Sequence, residues 1–372
     1  MYPALSVARS LLALPDAPEL AWLGGRRGIE AQLVPSAGIP FRRLLLRSLR
    51  SVEANVHAVL DPLRLAASVP QAFVALVARR PDAIFTTGGF VAVPALLAAA
   101  PLRVPVVLWE GNAVPGRAVR WTARLARVKA VSFAEAGARL GGTWFLTGTP
   151  IRALGAADRM AARARLGLAA GRPCLLVFGG SQEVRRFNVA VRDVLPELVR
   201  RAAVLHVTGP GAIAEFDALR ATLSDQGKAA YRPVAFLGEG DRAPTMADAL
   251  LAADLVIGRA GSSTLAEAAA AGRPMVVVPY PHAAGHQERN ARAAVDAGAA
   301  VLVPDDAFDG DALLDASALL EDPVRLAAMG AAARRLARPG AADAVATLVA
   351  AVARRVPLPD PAALERIATA AA

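Results

Sequence analysis

The stretch "GRAGSSTLAEAAAAGRPMVVVPYP" (258–281) sets small hydroxyl residues and one acid at helical spacing directly behind a strand. The spacing predicts a strand ending at Gly258 and a helix opening at Gly261-Ser262-Ser263-Thr264 and running to Ala271. The first amides of a helix have no internal acceptor and carry partial positive charge. Serine and threonine let an anion approach those amides and add donors of their own, which suits a diphosphate. Glu267 lies on the next turn, where a carboxylate can accept from both hydroxyls of a ribose. The same residues also read as an ordinary N-cap with a capping acid three positions on. Spacing alone leaves both open.

Further strand-to-loop junctions carry similar residues. "VFGGSQEVRRFN" (177–188) and "TTGGFVAVP" (86–94) each place paired glycines after an apolar run, and Ser181 sits at an expected helix start. In "WEGNAVPGRAVR" (109–120), Asn112 leaves a strand and Pro115-Gly116 turns into a basic helix. "YPHAAGHQERNA" (280–291) gathers His282, His286, Gln287 and Asn290 past another strand end. A zinc reading of His282 and His286 has the right spacing for a helix but lacks a third ligand. No metal is expected.

These junctions must be held by a scaffold, and the chain alternates short apolar runs with helical periods throughout. Strands are expected at 20–25, 39–46, 82–89, 104–111, 129–134 and 143–150, then at 173–180, 203–209, 232–238, 254–261, 274–280 and 300–305. Nearly continuous apolar strands between helices imply parallel sheets covered on both faces. The fold class is therefore α/β, with two doubly wound, Rossmann-like domains facing a cleft. The expected division is 1–150, 151–338 and a C-terminal helix in 339–372 that packs back across the domains. The chain opens on an amphipathic helix, "MYPALSVARSLLAL", with Leu5, Ala8, Leu11, Leu12 and Leu14 on one stripe and no strand before it.

Composition bounds the partners. The 372 residues carry a formal charge of +10, with Lys129 and Lys228 the only lysines, so the surface is arginine-rich and favours an anionic partner. Aromatics are only 5% and the arginines are scattered, which argues against nucleic acid. The single cysteine, Cys174, excludes an internal disulfide and a cysteine-rich metal site. The longest uncharged apolar stretch, Phe90 to Leu102, contains Pro94 and Pro101 and falls short of the roughly 20 residues that a membrane-spanning helix needs.

Taken together, the segments resemble the MurG family, glycosyltransferases that add N-acetylglucosamine to lipid I to make lipid II in peptidoglycan synthesis. The matching stretches are "GGRRGIEAQLVPSAGIPF", "TTGGFVAVPALLAA", "EGNAVPG", "TGTPIR", "FGGSQ", "RAGSSTLAEAAAAGRPMVVVPYPHAAGHQERNA" and "DAGAA", in family order along almost the whole chain. The resemblance implies a GT-B fold with UDP-N-acetylglucosamine held mainly by the second domain and no cofactor. Carried over by position, Leu237 would hold the uracil through its backbone and Glu267 the ribose. Ser262, Ser263 and Thr264 would meet the diphosphate, with Ser181 and Arg152 nearby, and Leu265 and Ala266 would belong to the same substrate-binding set. Gln287 would touch the sugar, and Asn112 would reach in from the first domain. The acceptor is undecaprenyl-linked lipid I, and UDP would leave with inversion at the anomeric carbon.

Three departures from the family pattern stand out. The family begins with a strand and a GGTGGH loop whose histidine is the general base. Here Met1-Tyr2-Pro3 falls just after it, so the first domain is expected to lack its first strand and glycine loop, with no catalytic residue to name. The expected true start is about 15–20 residues upstream, one strand plus a loop. Glu183 stands where the family has glycine. Gly111 replaces a glutamine, and "GEGDRAPT" lengthens the loop after Leu237. His57 is expected in a surface loop and His206 inside a strand, so neither replaces the base. Other readings are a different GT-B sugar-nucleotide enzyme, such as a glycolipid transferase or an epimerase, and a non-catalytic UDP-sugar binder.

Because lipid I is embedded in a bilayer, the family works as peripheral enzymes on the cytoplasmic face of the bacterial membrane. Leu63, Leu65, Val69, Phe73, Leu76 and Val77 with Arg64, Arg79 and Arg80, and Trp121 amid Arg117, Arg120, Arg124, Arg127 and Lys129, suit contact with an anionic membrane surface. A core-facing helix with a solvated basic side has the same pattern.

Overall fold

The computed structural model describes all residues except 28–29, 48–56, 153, 155–157, 170, 181–184, 239–243, 282–284 and 371–372. The chain forms two compact units, Met1–Ile151 with Arg338–Ala372, and Arg152–Ala337.

In the first unit the strands are β1 (Trp22–Arg27), β2 (Phe41–Arg47), β3 (Ile84–Thr86), β4 (Val106–Glu110), β5 (Val128–Val131) and β6 (Trp144–Leu146). All are parallel, in two sheets: β1-β2, and β3-β4-β5-β6. The expected single doubly wound sheet is thus divided, with β1 paired to β2 and β3 paired to β4 among the described residues.

The opening helix spans Tyr2–Leu12 and packs on the helix Ala341–Ala353. Leu5, Ala8 and Leu11 are buried as the stripe requires, but Ser6 is buried too and Leu12 is exposed. The buried face is broader than the leucine stripe because the partner helix is itself almost all alanine and valine and admits close approach. Val107, Trp109, Val128 and Ala130 form one core with Val7, Leu11, Val345, Leu348, Val352 and Leu364. The expected C-terminal helix is in fact two, Ala341–Ala353 and Pro361–Thr369, and both belong to the first unit. His57, expected in a loop, is the first residue of the helix His57–Arg79.

The second unit holds β7 (Cys174–Phe178), β8 (Ala203–Val207), β9 (Tyr231–Val234), β10 (Leu255–Gly258), β11 (Met275–Val277) and β12 (Ala300–Leu302). They form one parallel sheet in the order β12-β11-β10-β7-β8-β9. Alternate residues feed two cores: Leu176, Phe178, Val256, Met275 and Val277 face one side, and Leu175, Val177, Leu255, Ile257 and Val276 the other. Burial on both faces explains why these strands read as unbroken apolar runs.

Candidate active site

In the second sheet the chain runs outward from β7 in both directions, to β8 and β9 on one side and from β10 to β12 on the other. The loops after β7 and β10 therefore diverge, opening a crevice at the carboxyl ends of adjacent strands, where open α/β sheets bind ligands. Gly179-Gly180 follow β7, and Arg259-Ala260-Gly261 follow β10. A Cβ on Gly258 would lie 3.0 Å from the Phe178 carbonyl oxygen, so glycine is what lets the two strand ends stay close. Gly180 has φ +80°, which favours glycine, and open space around it.

The helix behind β10 spans Ser262–Ala270, one residue shorter than expected, with Gly261 as N-cap and no side chain capping it. Leu265 N–H donates to Gly261 O at 3.0 Å, so the amides of Ser262, Ser263 and Thr264 precede the first intrahelical bond. Glu267 does not cap this helix. It is buried, and its Oε1 receives Arg152 Nε at 3.3 Å and Nη2 at 3.2 Å. The crevice thus carries a helix terminus open to an anion, with a carboxylate and a guanidinium beside it. The capping-acid reading of Glu267 does not describe this geometry.

Other residues singled out from the sequence fall as follows. Leu237 is buried after β9 beside an exposed Phe236, and Gly238 bridges to Thr245, which caps the helix Met246–Ala252. Gln287 lies in the first turn of the helix His286–Asp296, and its Oε1 accepts from Tyr280 N–H at 2.9 Å. Buried Asn290, on the next turn, donates through Nδ2 to Ala260 O at 3.3 Å and so ties that helix to the loop after β10. Ser181, Glu183 and His282 lie outside the described residues. In the first unit, Asn112 donates to Glu110 Oε1 from its backbone N–H at 2.7 Å and from Nδ2 at 3.1 Å. Glu110, buried at the end of β4, was not singled out from the sequence. The signal was present in "EGN": an acid two residues before an asparagine at a strand end.

A second group missed from the sequence stands at the first turn of the helix Arg185–Arg201. Asn188 Nδ2 donates to Thr208 O at 3.0 Å, which leaves its Oδ1 to accept from His206 Nε2–H at 3.1 Å. His206 Nδ1 then accepts the Tyr231 hydroxyl at 2.9 Å. Buried His206 and Tyr231 and half-buried Asn188 satisfy one another and fasten the helix that follows Gly179-Gly180 to the end of β8. Burial pushes the His206 pKa down to about 3, so the ring is neutral in the folded protein. Below the unfolded value of about 6.5 the unfolded chain binds the extra proton, and stability falls as pH drops. At about 1.4 kcal/mol per unit, roughly 2 kcal/mol is lost between pH 6.5 and pH 5. Urea unfolding at pH 7 and pH 5 should show this loss, and His206→Gln should shrink it. An unchanged pH dependence in the variant would reject the assignment.

Two α/β units, each built on parallel strands covered by helices, are the architecture of GT-B glycosyltransferases. Residues 1–131 match the glycosyltransferase family 28 N-terminal domain, and residues 174–347 match its C-terminal domain. The chain is 39% identical over 362 residues to the UDP-N-acetylglucosamine--N-acetylmuramyl-(pentapeptide) pyrophosphoryl-undecaprenol N-acetylglucosamine transferase of Moorella thermoacetica, covering 94% of this chain and 95% of that one. Its structure is similar to that of Acinetobacter baumannii MurG, with a TM-score of 0.70 and 26% identity, covering 94% of this chain and 95% of the other. A UDP-N-acetylglucosamine 2-epimerase from Listeria monocytogenes shares the fold at a TM-score of 0.69 with 14% identity, covering 97% of this chain and 96% of the other. The chain belongs to the MurG family within glycosyltransferase family 28, and it is a glycosyltransferase.

Proposed function

We propose that this chain transfers N-acetylglucosamine from UDP-N-acetylglucosamine to lipid I, yielding lipid II and UDP at the cytoplasmic face of a bacterial cell membrane. The observation that carries the donor half of this reading is the crevice between β7 and β10, with its open helix terminus and buried Glu267. The ribose hydroxyls donate to Glu267, and the diphosphate meets the amides and hydroxyls of Ser262, Ser263 and Thr264, where Leu265 and Ala266 continue the turn. Arg152 adds positive charge, and Ser181, which follows Gly179-Gly180 in sequence, adds a donor. Leu237 offers its backbone to the uracil. Gln287 meets the sugar.

In the reaction the acceptor hydroxyl oxygen bonds to the anomeric carbon from the face opposite UDP. The anomeric C–O bond to the diphosphate breaks, and UDP keeps the electron pair. Charge grows on the leaving oxygen, and amides already aimed at it stabilise that charge without reorganising. The hydroxyl proton passes to a general base that is not among these residues.

The lipid-linked acceptor calls for a membrane contact, and the helix His57–Arg79 supports one. The expected stripe divides: Leu76 is core, whereas Leu63, Phe73, Val74 and Val77 are exposed, as are Ala66, Ala67 and Pro70 on the same face. A second exposed group, Trp121 and Leu125, lies amid arginines. Apolar side chains among arginines bind an anionic interface through buried area and charge together.

The test is an assay with UDP-N-acetylglucosamine and lipid I in vesicles containing anionic lipid. Lipid II and UDP should appear in equal amounts. UDP release that ignores lipid I would overturn the acceptor assignment. Phe73→Glu with Val74→Glu should cut vesicle binding by about tenfold or more, since each side chain is worth roughly 1–2 kcal/mol of burial, and should leave UDP affinity unchanged. Equal vesicle binding by this variant would place the membrane contact elsewhere.

A further inference from the structure

Arg259 lies between Gly258, the last residue of β10, and the loop that enters the helix Ser262–Ala270. It is only 5% exposed. Its guanidinium carbon sits 4.9 Å from the centroid of the Phe187 ring and 5.2 Å from that of Tyr280. Nη1 donates to Val278 O at 3.2 Å and to Asp305 Oδ1, while Nε is buried without a partner. Asp305 in turn receives Arg186 Nε at 3.2 Å. One cation therefore gathers the first turn of the helix after β7, the residues after β11 and the loop after β12.

Burying a guanidinium costs several kcal/mol, and an apolar side chain of equal volume would fill the space more cheaply. What arginine adds is direction: a planar cation gripped by two rings while it bridges a carbonyl and a carboxylate. The ring it grips on one side belongs to Tyr280, whose backbone N–H donates to Gln287 Oε1 at 2.9 Å. With Oε1 engaged by a main-chain donor, the group Gln287 has to offer a ligand is its Nε2 amide, a donor.

We propose that Arg259 is a positioning residue for the donor sugar: by clamping Tyr280 it fixes the amide of Gln287 so that its N–H groups meet an acceptor oxygen of the sugar. This rests on the reading that Gln287 touches the sugar of UDP-N-acetylglucosamine. Arg259→Lys keeps the charge, but a single ammonium cannot span both rings, the carbonyl and the carboxylate.

The test is calorimetric binding of UDP and of UDP-N-acetylglucosamine to the wild-type chain, Arg259→Lys, Gln287→Ala and the double variant. Arg259→Lys should weaken UDP-N-acetylglucosamine about tenfold more than UDP, the worth of one hydrogen bond. In the Gln287→Ala background that extra loss should vanish. If Gln287→Ala changes the ratio of the two affinities and Arg259→Lys does not, the clamp is wrong and the sugar contact stands. If Gln287→Ala leaves the ratio intact, the sugar contact itself is wrong and the proposal goes with it. Equal weakening of both ligands by Arg259→Lys would make Arg259 a general support of the loops and overturn the proposal. Arg259→Met, of similar volume without charge, should reproduce the lysine result wherever it folds.

Discussion

Glu267→Ala is expected to weaken UDP binding about 100-fold. Two hydrogen bonds to a charged acceptor are lost, each worth roughly 1.5–3 kcal/mol, and the release of Arg152 toward the diphosphate returns part of that. Because Glu267 is buried with its carboxylate already held by Arg152 at 3.2 Å, little ordering remains to be done when a ribose arrives. The decisive comparison is with 2′,3′-dideoxy-UDP, which lacks the hydroxyls. Glu267→Ala should bind UDP and the dideoxy analogue almost equally, whereas the wild-type chain should prefer UDP strongly. Should the variant keep the wild-type preference, Glu267 is not the ribose partner. Thermal unfolding of the same variant separates loss of ligand from loss of fold.

Asp254→Ala should cost about 3–5 kcal/mol of stability, the usual result of removing one partner from a buried ion pair. Arg163 is only 2% exposed in its side chain, and its Nη2 donates to Asp254 Oδ2 at 2.8 Å. The same oxygen accepts Cys174 N–H at 2.8 Å, and Arg159 holds the other. Arg163 also donates to Ala252 O at 3.1 Å and Arg172 O at 2.9 Å, so it is fixed in place and cannot swing into water when its counter-charge goes. Asp254 precedes β10 at the end of the strand away from Gly258. The loss should therefore appear in the urea transition of the second unit, while UDP affinity below that transition stays unchanged. A loss under 1 kcal/mol would mean that the network is dispensable.

How much of this was legible in the sequence follows from the range of each interaction. The twelve strands among the described residues lie where the sequence reading places them, and for β4, β5, β7, β8, β10 and β11 the reason is burial on both faces, which writes itself into consecutive apolar residues. The helix behind β10 was legible from Gly261 and the hydroxyls. The partner of Glu267 was not, since Arg152 stands 115 positions away. Arg259 is one arginine among many until Phe187, Tyr280 and Asp305 are brought round it. The same holds for Arg163, whose burial depends on a carboxylate 91 positions on. The helix 57–79 shows a different limit: its apolar residues are too numerous for one face, and periodicity cannot say which of two faces meets the core.

The chain leaves the first unit at Ile151 and returns to it at Arg338, so the second unit is an uninterrupted segment and the first is not. On the ribosome, β4 and β5 emerge with only the opening helix (Val7, Leu11) to share the core of Val107, Trp109, Val128 and Ala130, and the rest of that core waits until residues 344–364 follow. The second unit can therefore finish folding while the first still waits for its C-terminal helices. Nascent chains of this protein pass through a stage in which an apolar sheet face is open to chaperones, in reverse of the usual N-terminal-first order.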